Sequence, residues 1–212
     1  MTGDRLARRR QNTRWLSNGF DGGYANADAA HNLTVPERFE RTDLASYAAD
    51  RLEGNPTGPT LLTGVRQTHA KGARRGPIEV VATAGVSNPA VLPIRERSER
   101  ELAAAPDAEF EPGTVNVFVG SARALTDGGL AGLLATAVEA KTATLLELAD
   151  CTGTTSDAIV VGCATEGEPA VFAGSATEIG NAARVCVRDA IRAALESRYD
   201  GEPPAPESAP YG

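Results

Sequence analysis

The sequence predicts an α+β fold in which helices pack on a largely antiparallel or mixed sheet, within a single layered domain. Three observations carry this prediction. Runs rich in β-branched residues predict strands at residues 60–65, 78–86, 114–121, 157–164 and 169–175. The tetrapeptide between the last two runs predicts a turn that joins them as a hairpin. The predicted helices are too few to separate these strands, which disfavours a doubly wound parallel sheet.

The chain divides into a central domain and two flanking segments. Its 212 residues suffice for one domain with a substantial core, which we place at residues 13–199. Residues 1–12 are predicted to form a flexible basic arm, and the Pro-rich residues 200–212 a disordered tail. Within the domain, the charged stretch 94–113 is predicted to be a variable surface loop, with an active-site lid as the alternative.

Capping residues mark three predicted helices. Thr42 or Asp43 is the expected N-cap of a short first helix. Asp127 is the expected N-cap of a long second helix, and Thr177 caps the last helix, which ends near Tyr199. Each of these residue types accepts a hydrogen bond from a backbone N–H of the first turn, so each favours a helix start.

Composition excludes several classes of function. The formal net charge is −7 and the pI is about 5.0, which argues against a nucleic-acid-binding surface. No apolar run approaches the ~18 residues that suggest a membrane span. The charged N-terminus is not followed by an apolar segment, so we predict no secretory signal and a cytoplasmic location.

The cysteines and histidines predict neither a disulfide framework nor a metal site. Cys151, Cys163 and Cys186 are odd in number and have no CxxC spacing, and Cys163 and Cys186 read as core residues. Cys151 lies in a polar turn, but no histidine is near it in sequence to activate its thiol. His31 and His69 lack metal-ligand spacing. We therefore expect no protein-bound metal or cofactor.

Lys141 lies in the middle of the apolar stripe of the second predicted helix. At ~100° per residue, the helix places leucine, valine and alanine side chains on the same side as this lysine. Its ammonium either reaches the surface along its aliphatic stem or is held in a pocket, where it binds a carbonyl or carboxylate or acts as a base. Glu139, two residues away, points to a different side of the helix.

A polar turn follows that helix. The sequence CTGTTSDA (151–158) collects hydroxyls and one carboxylate. Local side-chain hydrogen bonds at a helix end explain some of them. Asp157, however, stands at the entry to a very apolar strand, where a carboxylate is costly unless it is paired or used. Thr154 and Ser156 are therefore candidate functional residues beside Asp157.

Two further segments contain candidate residues. Ser87 ends a predicted strand with Gly-x-Ser-x-Pro spacing, a weak match to a nucleophile elbow, and Asn88 either donates to a carbonyl or forms an Asx turn. Near the N-terminus, Trp15 and Phe20 flank glycines and Asp21. Such aromatics suit the wall of a large flat ligand or serve as ordinary core anchors.

Several segments, taken in order from Arg14 to about Leu195, resemble the adenosylcobinamide amidohydrolases (CbiZ) of archaeal corrinoid salvage. Their joint order is more specific than any one of them. The segments are RWLSNGFDGGY, NLTVPE, TAGVSNP, GTVNVFV, LTDGGL, ATAVEAKTATLLEL, TGTTSDAIVV and FAGSATEIG. The resemblance implies hydrolysis of the amide that links aminopropanol to a corrin propionate, which would yield adenosylcobyric acid and 1-aminopropan-2-ol. The substrate would bring its own cobalt.

We infer residue roles from what amide hydrolysis requires. Lys141 stabilises the oxyanion or donates a proton, and Asp157 or Glu139 activates water. A covalent route through Ser87 or Thr154 is the alternative, disfavoured because the sequence shows no recognisable pair of nucleophile and base. The candidate substrate-binding residues are Ser87, Asn88, Asn116, Thr154 and Ser156, with Trp15, Phe20 and Asp21 as the corrinoid wall.

Two rival functions use the same residues. A non-catalytic corrinoid carrier or sensor would keep the aromatic wall and tolerate the loss of Lys141 and Asp157. An amidohydrolase acting on a different corrinoid side chain would keep the chemistry and change the product. The sequence does not indicate an oligomeric state.

Overall fold

A computed structural model describes residues 3–36, 39–52, 57–90 and 114–201. It shows an α+β fold with a mixed seven-stranded sheet, so the predicted fold class is confirmed. The predicted loop 94–113 lies outside the described residues, as does the predicted tail after residue 201.

Nine strands and three α-helices make up the described chain. The strands are β1 (Arg5–Ser17), β2 (Gly23–Thr34), β3 (Thr60–Thr63), β4 (Lys71–Arg75), β5 (Ile78–Ala84), β6 (Pro89–Ala90), β7 (Val115–Ala124), β8 (Gly153–Thr154) and β9 (Ala158–Ala164). The helices are α1 (Leu44–Arg51), α2 (Asp127–Ala149) and α3 (Glu178–Tyr199), and a 3₁₀ turn covers Gln67–His69.

The large sheet has the strand order β3-β2-β1-β9-β7-β5-β4. Only the β2–β3 and β7–β9 pairs are parallel, and the other four are antiparallel. Strands β6 and β8 form a separate antiparallel pair. Because β7 and β9 are parallel and α2 connects them, their first residues meet at one edge of the sheet, at Asn116 and Ala158.

Helices α2 and α3 cover one face of this sheet. Strand residues at alternate positions of β5, β7 and β9 point toward them, and these positions are almost entirely aliphatic. Leu130, Leu133, Ile191 and Leu195 of the two helices are fully buried against them. This main core explains why the β-branched runs were recognisable as strands from the sequence.

The opposite face holds a smaller core, which includes Trp15, Leu61, Phe118 and Val160. Leu61 belongs to β3, which is not a neighbour of β7 or β9 in the sheet. Asn116 of β7 also donates a hydrogen bond to the carbonyl oxygen of Leu62, at 2.9 Å. The sheet is therefore strongly curved, so that β2 and β3 lie over the second face.

Residues 5–12, which the sequence assigns to a flexible arm, belong instead to β1. The register between β1 and β2 shifts between Arg9 and Thr13, where Asn12 adopts a positive φ of 51°. The Asn12 N–H donates to the Asp28 carboxylate at 2.9 Å, which holds the irregularity in place. Arginines at exposed positions of a strand conceal its period from sequence inspection.

The helix starts are close to those expected. Thr177 caps α3 as predicted, and Asp43 precedes α1. The N-cap of α2 is Thr126, whose hydroxyl accepts from the Gly129 N–H at 3.0 Å, so the prediction of Asp127 is wrong by one position. Asp127 instead pairs with Arg14 at 3.2 Å.

The predicted hairpin after β9 is wrong. Of residues 169–175, only Ala170 bridges a strand-like segment, in parallel with Leu125. The chain here passes between the first turns of α2 and α3, where a Cβ on Gly129 or Gly180 would lie within 2.6 Å of its carbonyl oxygens. Apart from the bridge at Ala170, this segment forms no strand, and it does not pair with β9.

Helix α2 is the one described helix that is long and apolar enough to cross a membrane, by length and composition alone. Half of its most apolar stretch is buried, however, and α2 packs against α3 and β9. A core helix passes the same test of length and composition. Its contacts place α2 in the core of the folded domain.

The buried ring of His31 predicts acid sensitivity. Burial first, and then the charges of Arg5 and Arg9, lower its pKa from 6.5 to about 4. The unfolded chain binds this proton near pH 6.5 and the folded chain only near pH 4, so the free energy of unfolding decreases as the pH falls through this window. At ~1.4 kcal/mol per pH unit, the His31 contribution reaches about 3 kcal/mol.

Urea unfolding from pH 7 to pH 4 tests this expectation. Wild-type protein should lose about 3 kcal/mol more than the His31→Gln variant across that range. His69→Gln is the control, because its ring is partly exposed, and we expect a smaller effect there. If the free energy of unfolding depends on pH identically in wild type and His31→Gln, the acid sensitivity does not come from His31.

Candidate active site

A cleft of about 690 Å³ opens where β1 and β3 end and β7 and β9 begin. Its size is within the usual range for small-molecule sites. One side is apolar, and the other carries amide, hydroxyl and carboxylate groups. The apolar lining comprises Phe20, Val35, Phe39, Leu44, Leu61 and Leu62, and the polar end comprises Asn18, Thr114, Ser156 and Asp157.

The central feature of the polar end is an ion pair between Lys141 and Asp157. Lys141 projects from α2, and its Nζ contacts Asp157 Oδ2 directly. Their side chains are only 9% and 11% exposed, so both charges are largely removed from water. Nζ also lies 3.5 Å from the Thr152 carbonyl oxygen. The lysine in the apolar stripe thus neutralises the carboxylate at the start of β9.

Asp157 accepts four hydrogen bonds from the described residues. Oδ1 accepts from the Val115 N–H at 2.9 Å and from the Thr154 hydroxyl. Oδ2 accepts from the Thr154 N–H at 3.0 Å and from Lys141. A carboxylate offers about four acceptor sites, so Asp157 is saturated. It ties the 153–157 turn to β7 and α2, and it can take up only a proton that one of these donors releases.

Gly153 lies directly over the ion pair. A Cβ at this position would lie 2.5 Å from Asp157 Oδ2 and 2.6 Å from Lys141 Nζ. These distances are shorter than real Cβ contacts allow, so any side chain here would separate the two charges. The glycine in the polar turn is therefore required by the pair itself.

Thr154, Asp157 and Lys141 form a series of hydroxyl, carboxylate and ammonium groups. The Thr154 hydroxyl donates to Asp157, whose other oxygen is held by Lys141. A nucleophile bonded to a base that a third group orients is the general signature of nucleophilic catalysis. Only the folded turn reveals this series, because Lys141 belongs to α2 and Thr154 to β8.

Asn18 provides an amide at the other side of the turn. Its Oδ1 accepts from the Ile159 N–H at 2.7 Å, and its own N–H donates to the Ile159 carbonyl oxygen at 3.2 Å. The side chain is thus oriented by β9. Its Nδ2 group has no hydrogen-bond partner among the described residues, and Asn18 lines the cleft. Such an amide is suited to bind a carbonyl oxygen.

Comparison with known proteins identifies the family. The family model described as "CbiZ: Adenosylcobinamide amidohydrolase" matches residues 5–203. The chain belongs to this family. It is 48% identical over 205 residues to the adenosylcobinamide amidohydrolase of Halobacterium salinarum, covering 94% of this chain and 87% of that one. It is 29% identical over 196 residues to that of Methanosarcina mazei, covering 86% and 90%.

Among solved structures, the PH0078 protein of Pyrococcus horikoshii OT3 aligns over 92% of this chain and 73% of its own. The TM-score is 0.43 and the identity 12%. The family match is sufficient to establish the class of reaction: the chain is an amide-hydrolysing enzyme.

The fold brings several of the predicted site residues of this amidohydrolase together. Asp157 and Ser156 line the cleft with Phe20, and Lys141 and Thr154 contact Asp157. The Ser156 hydroxyl is 2.9 Å from that of Thr114.

Asn88 is close to the same turn. It donates to the Thr155 hydroxyl at 2.6 Å, where β6 pairs with β8. Ser87 is the residue before it, and its Oγ is buried without a hydrogen-bond partner among the described residues. The turn and the Gly-x-Ser-x-Pro segment, about 70 residues apart, are therefore neighbours.

Other predicted site residues lie elsewhere. Glu139 is exposed on α2 and does not line the cleft, which argues against a role in activating water. Trp15 is 4% exposed in the second core, and its indole N–H donates to the Ala27 carbonyl oxygen at 2.9 Å. Asn116 is fully buried and donates to Asn32 Oδ1 at 2.8 Å. Asp21 is exposed in the β1–β2 turn.

Two residues at the polar end of the cleft were not predicted, and neither were Glu40, Arg41, Thr42 and Thr63, which also line it. Asn18 and Thr114 reach the cleft because β1 ends and β7 begins beside the start of β9. The signal for Asn18 was present, since it stands among the aromatics and glycines of the N-terminal segment. Thr114 has no local signal, because its role depends on a hydrogen bond to a residue 42 positions away.

The thiols of the enzyme are unsuited to nucleophilic attack. Cys151, Cys163 and Cys186 are free and buried, and burial raises the pKa of each. The described residues contain no group of three or more His, Cys, Asp or Glu side chains arranged to hold a metal ion.

Proposed function

We propose that this enzyme hydrolyses the amide bond of adenosylcobinamide and releases adenosylcobyric acid and 1-aminopropan-2-ol, in cobinamide salvage in the cytoplasm. The observation that carries the proposal is the cleft of this family member, in which an apolar wall lies beside the Asp157 carboxylate, which the Thr154 hydroxyl and the Lys141 ammonium contact. The apolar wall suits the edge of a corrin ring. The polar end suits the amide of the aminopropanol side chain.

The reaction proceeds through an ester with Thr154. The Thr154 hydroxyl oxygen attacks the amide carbon while its proton passes to Asp157, to which it is already bonded. The Asn18 amide donates to the oxyanion. The C–N bond then breaks, and the proton moves from Asp157 to the departing amine. Water cleaves the ester and restores Thr154. Lys141 keeps Asp157 oriented throughout.

The covalent route replaces activated water as the favoured mechanism for a specific reason. The sequence favours water because it shows no pair of nucleophile and base, and in the structure the Thr154–Asp157 contact supplies such a pair. Asp157 has no acceptor site left for the proton of a water molecule until Thr154 has moved. The buried Ser87 hydroxyl has no base beside it among the described residues.

Product analysis tests the proposed reaction. Purified protein is incubated with adenosylcobinamide at low and at molar salt, and the products are separated and weighed by mass spectrometry. Adenosylcobyric acid with 1-aminopropan-2-ol is the expected result. Intact substrate that stays bound would favour a corrinoid carrier or sensor, and release of ammonia instead would indicate a different corrinoid amide.

Replacement of Asn18 by aspartate tests the oxyanion donor. The variant keeps the acceptor for the Ile159 N–H and the shape of the side chain, but it places a carboxylate oxygen where the amide donated. We expect kcat to fall about 10²- to 10³-fold with little change in Tm. Asn181→Asp is the matched control, because Asn181 is exposed on α3. Equal kcat for both variants would show that Asn18 is not the oxyanion donor.

A further inference from the structure

A second cavity, of about 280 Å³, lies at the other end of β7 and β9 from the cleft. Strand β9 runs from Ala158 in the cleft to Gly162 in this cavity, a separation of about 13 Å at ~3.3 Å per residue. The second core, with Trp15 and Phe118, separates the two. The cavity is therefore distinct from the proposed active site.

Arginines dominate the lining of this cavity. Arg8, Arg9, Arg10 and Arg74 line it, with Glu79 as the one acidic residue of the lining that the structure describes. The formal charge of these described lining residues is +3, in a chain whose net charge is −7. We call this site the arginine cavity. A concave surface lined by one sign of charge focuses the electrostatic field and raises the local concentration of anions.

Two of the four guanidinium groups are uncommitted. Arg8 pairs with Glu79 at 2.7 Å, and Arg10 donates to the Ser121 carbonyl oxygen at 2.6 Å. Arg9 and Arg74 are exposed, and their guanidinium groups have no hydrogen bond or ion pair within the described parts of the chain. They are available to a ligand, while the other two hold the cavity wall in place.

The floor of the cavity is apolar. Trp15 and Phe118 are 4% and 3% exposed, and the Trp15 ring packs on Gly162, where a Cβ would lie 2.4 Å from it. A dry floor strengthens charge-assisted hydrogen bonds at the rim. The positive field of this end of the sheet extends to His31, whose pKa is lowered partly by Arg5 and Arg9.

We propose that the arginine cavity binds a small phosphate-bearing anion. Guanidinium groups match phosphate oxygens with paired hydrogen bonds. A lining charge of +3 is balanced by a diphosphate group and exceeds what one carboxylate neutralises. The volume accepts a diphosphate, or a phosphate with a small attached group, and is too confined for a nucleic-acid strand. This binding is independent of the proposed amidase reaction.

Calorimetric titration of the full-length protein with sodium pyrophosphate tests the proposal. Inorganic phosphate is titrated separately, and citrate serves as a trianion of different chemistry. We expect saturable binding of pyrophosphate, weaker binding of phosphate, and at least tenfold weaker binding of citrate. Arg9→Gln and Arg74→Gln should each raise the pyrophosphate Kd at least tenfold. Arg184→Gln, an exposed arginine of α3, is the matched control and should leave it within twofold.

Three results would overturn the proposal. They are absence of binding heat with both phosphate probes, citrate binding as tightly as pyrophosphate, and an equal loss of affinity in Arg184→Gln. The last would show that overall charge attracts the anion. Circular dichroism of each variant confirms its fold, and adenosylcobinamide hydrolysis should continue in all three, since none of these arginines lies in the cleft.

Discussion

Replacement of Asp157 by asparagine should both destabilise the enzyme and abolish its activity. The variant leaves the buried Lys141 ammonium without a counter-charge. It also places an amide NH₂ group, which is itself a donor, among the groups that donate to the carboxylate. Loss of one partner of a buried ion pair costs about 3–5 kcal/mol. Chemical unfolding should show this loss, and product formation from adenosylcobinamide should fall at least a thousandfold because the proton acceptor for Thr154 is gone.

A second substitution separates structure from chemistry. In the Asp157→Asn background, Lys141→Met removes the uncompensated charge and keeps an aliphatic stem in the apolar stripe. The double variant should therefore recover part of the lost stability and none of the activity. If the double variant is as unstable as Asp157→Asn, or if it hydrolyses the amide at the wild-type rate, the account of this pair is wrong.

This pair changes the expectation that follows from the sequence alone. A lysine in an apolar stripe and a carboxylate at a strand entry indicate two separate catalytic groups. In the structure the two charges neutralise each other. Substituting either one is a stability experiment as well as an activity experiment, and only the double variant distinguishes them.

Local sequence patterns predicted the elements that bury aliphatic residues. Strands β5, β7 and β9 were recognisable because their alternate positions fill the main core. Strand β1 was not, because it carries arginines at exposed positions and is held by pairing with β2 and β9. The contribution of β1 to the cleft also depends on a long-range contact, because Asn18 reaches the cleft only where the end of β1 meets β9.

In the candidate site too, local sequence patterns predicted some features, whereas others depend on long-range contacts. Lys141, Asp157 and Thr154 were identified because a charge or a hydroxyl cluster in an apolar context is locally unusual. Their mutual geometry was not predictable, since it depends on α2 passing behind the 153–157 turn. Glu139 was included for its proximity in sequence to Lys141, although the helical period places it on the exposed side of α2.

Replacement of Thr154 by valine should remove activity while the fold persists. Valine keeps the branched shape and lacks the hydroxyl, so Asp157 Oδ1 loses one hydrogen bond but keeps that of the Val115 N–H. We expect a cost of about 1 kcal/mol in unfolding free energy and a fall in kcat of about a thousandfold or more. Thr154→Ser should retain measurable activity, because it keeps the hydroxyl on the same carboxylate.

Ser87→Ala is the decisive comparison for the nucleophile. The Ser87 hydroxyl is close to the turn in the fold but has no partner among the described residues, so its removal should leave kcat within a few-fold of wild type. A burst of 1-aminopropan-2-ol before steady state, with a corrinoid ester on the peptide that contains Thr154, would establish the covalent route. If Ser87→Ala is inactive and Thr154→Val is active, Ser87 is the nucleophile. If both variants turn over at the wild-type rate, water attacks directly, and Thr154 serves only to orient Asp157.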